Sequence, residues 1–160
     1  MPLSCFNRMN FNIVLYEPEI PANTGNIGRI CVGVNARLHI VKPMKFLLTD
    51  HHVKRAGLDY WNKLELVMHD SWQDFLEYAQ AGRKIYFSTK ADKNYTDFDF
   101  LPGDYLIFGP ETRGIPMRIL KKNWDNCCRI PMSDKIRSIN LSNSVAVAVY
   151  EAIRQTKVNL

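Results

Sequence analysis

Six short runs rich in branched and aromatic residues recur along the chain with helix-patterned stretches between them, and this alternation leaves few folds open. The runs are FNIVLYE (residues 11–17), LHIVK (38–42), LELVMH (64–69), KIYFST (84–89), DYLIFG (104–109) and CCRIPM (127–132). Their side chains suit a pleated, half-buried surface, so each reads as a strand. Helices are predicted over 24–35, 50–57, 71–81, 115–123 and 142–156, with Ser71 as an N-cap, Asp74 in the first turn and Gly82 as a stop. Parallel neighbours require a crossover, and a crossover helix covers the sheet face. The expectation is an α/β fold: a mostly parallel sheet of about six strands flanked by helices.

The length of 160 residues fits one domain, assigned to residues 9–160, with 1–8 a flexible extension and Met9 a second possible start. No repeat or low-complexity linker divides it. Residues 90–103, KADKNYTDFDFLPG, mix charges and aromatics between two strands. They read either as a mobile lid or as a surface connection.

No apolar run approaches the roughly 18 residues of a membrane span, and the first residues lack the apolar core of a secretory signal. Cys5, Cys31, Cys127 and Cys128 form no CxxC pair, which argues against a disulfide framework. A soluble, cytoplasmic protein without a membrane partner is expected. The net charge of +5 favours a polyanionic partner without proving one.

In open α/β sheets ligands bind beyond the carboxyl ends of the strands, so the loops there carry the functional question. PEIPANTGNIGR, residues 18–29, follows the first strand. Asn23, Thr24, Gly25 and Asn26 then stand at a helix N-terminus, as an anion cradle or as a rigid turn with a cap. GPETRGIPMRIL, residues 109–120, follows the fifth strand. Gly109 and Gly114 permit close backbone approach there, and a tight structural turn is the simpler reading. RIPMSDKIRSINLSNSVAVAVYEAIRQ, residues 129–155, sets a polar run against an apolar one. Val145, Ala148, Val149, Ala152 and Ile153 have the spacing of a buried helical face, and Ala146 and Val147 widen it, so a second subunit or the rest of the chain must cover that helix. Ser138, Asn140, Ser142 and Asn143 supply more capping groups than one helix needs, and the surplus suits a ligand.

Other constellations are weak. His39, His51, His52 and His69 lack metal-ligand spacing, so no metal is assigned. There is no GxGxxG, Walker or GxSxG motif. Cys31 reads as a buried inert thiol, and Trp61, Trp72 and Trp124 read as packing groups.

Taken in order, NTGNIGR, LIFGPETRGIP and RIPMSDKIRSINLSNSVAVAVYEA resemble the three motifs of the SPOUT superfamily of RNA methyltransferases. The start NIVLYEPEIPANTGNIGR and the segment KRAGLDYW, residues 54–61, resemble the single-domain tRNA (cytidine/uridine-34-2′-O)-methyltransferases. The resemblance spans about residues 12–155. It implies a deep trefoil knot at the C-terminal end, a homodimer, and S-adenosylmethionine as the methyl donor without a metal. The methyl acceptor it implies is the ribose 2′-hydroxyl of wobble nucleotide 34, cytidine or modified uridine, of a leucine tRNA.

By motif matching, Phe87, Gly109, Ile130 and Ser138 are expected at the cofactor, with Glu111, Gly114, Met132, Asn140 and Leu141 beside them. Arg29 is the catalytic candidate, polarising the ribose hydroxyl or accepting its proton. Asn23, Asn26, Asn143 and Tyr150 are candidates for contact with the RNA substrate. Arg37, Lys42, Lys45, Lys54, Arg55, Lys121, Lys122, Lys135 and Arg137 are candidates for its phosphates, and DNA is not an expected partner. Gly28 stands where relatives carry a larger residue, which is expected to weaken the first helix and shift Arg29. Two rival readings remain: a SPOUT enzyme for ribosomal RNA or another tRNA position, and an RNA-binding homologue without turnover.

Overall fold

Five consecutive buried residues, Asn12–Tyr16, form the central strand β1. A strand buried on both faces needs layers above and below it, and the rest of the fold supplies them. The computed structural model describes residues 9–49, 55 and 60–160. After β1 come α1 (Pro21–Gly33), β2 (Arg37–Val41), β3 (Leu66–His69), α2 (Trp72–Tyr78) and β4 (Lys84–Phe87). The chain continues through β5 (Tyr105–Phe108), α3 (Met117–Lys122), β6 (Cys127–Cys128) and α4 (Leu141–Thr156). The six strands pair in the order β3-β2-β1-β5-β4-β6, every neighbour parallel. The expected α/β sheet is therefore present. Of the helix predicted over 50–57 only Arg55, which is helical, is described, and the extension 1–8 lies outside the described residues.

Period-two alternation divides the core. Ile13, Leu15, Leu38, Ile40, Ile85, Leu106 and Phe108 face α1 and α4, meeting Ile27, Cys31, Val145, Ala148, Val149 and Ala152. Val14, Tyr16, Val41, Tyr86 and Ile107 face the opposite layer, with Phe75 of α2 and Ile119 and Leu120 of α3. Burial raises the Cys31 thiol and pushes Cys127 to about 11 and Cys128 to about 12, so none offers a thiolate near neutral pH.

Several boundaries differ from expectation for local reasons. α1 starts at Pro21, not Thr24, because proline at N1 loses no hydrogen bond. The strand predicted over 127–132 ends at Cys128. Beyond it, the Arg129 N–H donates to Lys93 O and Arg129 O accepts from Tyr95 N, at 2.8 Å each, so the chain leaves the sheet for the 90–103 loop. That loop is a pinned connection, with Phe98 and Phe100 buried and the Phe100 N–H donating to Gln155 Oε1 at 3.0 Å. Ser71 caps α2 as expected, accepting from Asp74 N at 3.0 Å, but the helix ends at Tyr78, short of Gly82. Trp72 packs on Tyr16 and Phe75, whereas Trp124 is 36% exposed and donates to Asp92. Among the described residues no helix is long and apolar enough to cross a membrane.

Candidate active site

The loops after β1, β4 and β5 and the segment before α4 enclose a cavity of about 670 Å³. Its apolar floor includes Phe87 and Phe108, stacked with ring centroids 4.7 Å apart, together with Ile115 and Ile130. The loop after β5 folds tightly against itself. A Cβ on Gly109 would lie 2.2 Å from the Ile115 backbone nitrogen, so no larger residue fits there. Gly114 has φ of 66° and donates its N–H to Pro110 O at 2.9 Å, closing the turn in a conformation that favours glycine.

One carboxylate ties this loop to α1. Glu111 accepts from the backbone N–H groups of Glu19 (2.8 Å) and Ile20 (3.0 Å) and from Asn23 Nδ2 (3.3 Å). It thereby places a negative charge at the N-terminus of α1, where the helix dipole favours it. Asn23, buried in the first turn, also accepts from Asn140 Nδ2 at 3.1 Å. Asn140 caps α4 by accepting from Asn143 N at 3.3 Å and takes a further 2.6 Å hydrogen bond from Ser142 Oγ. Of the four capping candidates, Asn140 joins α4 to α1 with Ser142 bonded to it, and Ser138 and Asn140 line the cavity. Asn23, Thr24 and Gly25 sit inside the helix, with the Asn23 and Thr24 N–H groups donating to Ile20 O, so they form no open anion cradle.

Charged groups stand at the cavity rim, and ion pairs hold some of them. Arg113 meets Glu17 at 2.7 Å, while Glu19 accepts from Lys45 and Thr112 at 2.7 Å each. Those two hydrogen bonds, Lys45 foremost, hold the Glu19 carboxyl down to about 2. Lys90 and Arg137 also line the cavity and make no ion pair among the described residues.

The cavity brings together every residue expected at the cofactor: Phe87, Gly109, Glu111, Gly114, Ile130, Met132, Ser138, Asn140 and Leu141, and with them Asn23. It does not include Arg29, Asn26, Asn143 or Tyr150. Arg29 is exposed, its guanidinium carbon 5.1 Å from the centroid of the Tyr60 ring. Asn26 and Asn143 are exposed, and Tyr150 is 54% exposed on α4. Sequence reasoning missed Ser88, Lys90 and Arg113 at the cavity. Arg113 lies within the second motif, and Ser88 and Lys90 follow β4, so position beyond a strand end was the available signal. Among the described residues no three His, Cys, Asp or Glu side chains gather as a metal site.

The profile of the SpoU rRNA methylase family matches residues 10–150. The chain belongs to this family. Its relatives include a tRNA (cytidine(34)-2′-O)-methyltransferase from Saccharophagus degradans, 50% identical over 146 residues that make up 91% of this chain and 95% of the relative. A solved structure giving insights into 2-OH methylation of C/U34 on tRNA superposes with a TM-score of 0.86 at 43% identity, covering 91% of this chain and 95% of that one. The family fold extends to the methyltransferase AviRb from Streptomyces viridochromogenes, solved in complex with AdoMet, with a TM-score of 0.82 at 24% identity over 97% of this chain and 66% of that one.

Proposed function

We propose that this chain transfers a methyl group from S-adenosylmethionine to the ribose 2′-hydroxyl of tRNA nucleotide 34, cytidine or modified uridine, with a leucine tRNA as substrate and the cytoplasm as its place of action. The observation that carries the reading is the cavity itself, in which three separate loops are joined through Glu111, Asn23 and Asn140. Relatives that align over nearly their whole length are named for this reaction.

The lining fits S-adenosylmethionine in size and chemistry. About 670 Å³ lies within the range of small-molecule sites, with an apolar floor for a flat heterocycle and polar groups at Ser138 and Asn140. When bound, the cofactor supplies an electrophilic methyl group. The chain's own task is alignment. The close turn at Gly109 and Gly114 presents backbone to the ligand, and Phe87, Ile130, Met132 and Leu141 exclude water around it. Glu111 and Asn140 hold the loops in register.

Arg29 polarises and positions the ribose hydroxyl, since a guanidinium does not readily give up its proton. Because Arg29 stands outside the cavity of its own chain, the reading requires a homodimer in which it serves the site of a second copy. The exposed stripe of α4, with Val147 at 40% and Tyr150 at 54%, is an apolar surface suited to that contact. The reading also includes a trefoil knot at the C-terminal end, where the chain leaves edge strand β6 beside β4 and returns to pack α4 on α1. Of the phosphate candidates, Arg37, Lys42 and Lys45 are engaged by Glu65, Asp70 and Glu19, while Lys121, Lys122, Lys135 and Arg137 make no ion pair among the described residues, and of these Arg137 lines the cavity. Lys54 lies outside the described residues.

Incubation of purified protein with the methyl donor and unmodified tRNA and ribosomal RNA, followed by mass mapping, tests the proposal. A 2′-O-methyl group at tRNA nucleotide 34 is expected. Methylation confined to ribosomal RNA, or none at all, refutes it.

A further inference from the structure

The segment KRAGLDYW ends in Tyr60 and Trp61, which pack on α1 at Arg29 and Gly28. Trp61 lies against Gly28: a Cβ there would stand 3.0 Å from Trp61 Cζ3 and 3.2 Å from Leu64 Cδ2. Trp61 opens a short 3-10 turn, Trp61–Lys63, closed by the Lys63 N–H donating to Tyr60 O at 2.9 Å and the Leu64 N–H donating to Trp61 O at 3.2 Å. Tyr60 immediately precedes this turn, and its ring lies under the guanidinium of Arg29, the neighbour of Gly28. The absence of a side chain at position 28 therefore opens the notch that Trp61 fills. Trp61 directly follows Tyr60, so the residue that fills the notch is joined to the one whose ring meets Arg29.

We propose that Tyr60 is a positioning residue for Arg29, seated by Trp61 in the notch at Gly28. The inference rests on the catalytic reading of Arg29 given above. An arginine has many rotamers, and a ring beneath its guanidinium narrows them. A carboxylate would narrow them too, but would consume the donors. Arg29 makes no ion pair among the described residues, so its five N–H groups stay available to an RNA ribose or phosphate. Gly28 thus gains a reason beyond helix propensity: it admits the residue that seats the ring.

Single-turnover methyl transfer to tRNA at saturating methyl donor tests this with Tyr60→Leu, Tyr60→Phe, Gly28→Val and Arg29→Ala. Tyr60→Leu keeps apolar bulk and deletes the ring face. Its rate is expected to fall about tenfold, with the dissociation constant for S-adenosylmethionine and the melting temperature held near wild type. Tyr60→Phe restores the rate to within about threefold. Gly28→Val, whose side chain displaces Trp61, slows the rate in the same sense without touching the cavity, and reads out the proposal should Tyr60→Leu fold poorly. A wild-type rate in Tyr60→Leu alongside a collapsed rate in Arg29→Ala overturns the positioning role, as does a Tyr60→Phe rate as low as that of Tyr60→Leu. A wild-type rate in Arg29→Ala is a different failure, that of the catalytic reading itself.

Discussion

Two hydrogen-bonded polar clusters in this molecule have opposite fates, one buried throughout and one only at Asn23. One runs across β1, β2 and β3: His39 Nε2 lies 3.1 Å from Asn12 Oδ1, and His39 Nδ1 lies 3.0 Å from His69 Nε2. Asn12 Nδ2 donates to Gly103 O at 3.0 Å, so its oxygen faces His39, which donates to it and accepts from His69. The two rings and the amide oxygen face one another, and Phe75, Tyr78 and Tyr105 pack around His39. The second cluster, Glu111, Asn23 and Asn140, also satisfies its own hydrogen bonds, but it does so at the edge of a cavity and joins three loops. A hydrogen-bonded polar cluster alone therefore does not mark a functional site. What separates the two clusters is whether their closure leaves room for a ligand.

The harshest way to break the loop cluster is Gly109→Ala. A Cβ there would meet the Ile115 nitrogen at 2.2 Å and the Gly114 carbonyl carbon at 2.3 Å, both backbone atoms without room to yield. A loss of about 3 kcal/mol or more in urea unfolding is expected, with no measurable binding of S-adenosylmethionine. A stable variant that binds normally contradicts the geometry.

Acid attacks the histidine cluster instead. Burial, with His69 and Arg37 adding repulsion, pushes His39 from 6.5 down to about 3, and burial also lowers His69 against the pull of Asp74. The folded His39 ring stays neutral while its unfolded counterpart takes up a proton below about 6.5. This stability is fully present above that value and is lost as pH falls from it toward about 3. His39 alone accounts for about 2 kcal/mol between pH 7 and pH 5. Urea midpoints that stay flat across that interval would sink the assignment.

Asn140→Ala should cost about 1 kcal/mol as a lost N-cap, and it also removes the link to Asn23. Calorimetry is expected to show weaker binding of S-adenosylmethionine, an effect absent if Asn140 only caps α4. The smallest effect has the opposite sign. Thr24 Oγ1, in α1 beside Asn23, is buried without a hydrogen-bond partner among the described residues. Thr24→Val should raise stability by up to about 1 kcal/mol in thermal melts, and a loss would reveal a hidden partner.

The sheet was legible because strands buried on both faces carry dense runs of branched residues, and strand–helix alternation admits few topologies. Where the chain ran against a tertiary partner, the local pattern misled: Ile130 and Met132 have strand composition, yet Arg129 pairs with the 93–95 backbone and carries them to the cavity. Pro21 held the true start of α1 in plain view. The gathering of the cavity residues followed from the motif resemblance and from the rule placing ligands beyond strand ends. The bonds between Asn23, Glu111 and Asn140, separated by 88 and 117 positions, leave no local periodicity to read. The same holds for Arg29 over Tyr60.

The central claim, that the looped cavity serves methyl transfer to one ribose hydroxyl, is met most directly by a tRNA carrying 2′-deoxycytidine at nucleotide 34. With labelled S-adenosylmethionine, label should enter the unmodified tRNA and be absent from the deoxy substrate, while both tRNAs bind equally. Equal labelling of the two would place the accepting atom elsewhere and contradict the account.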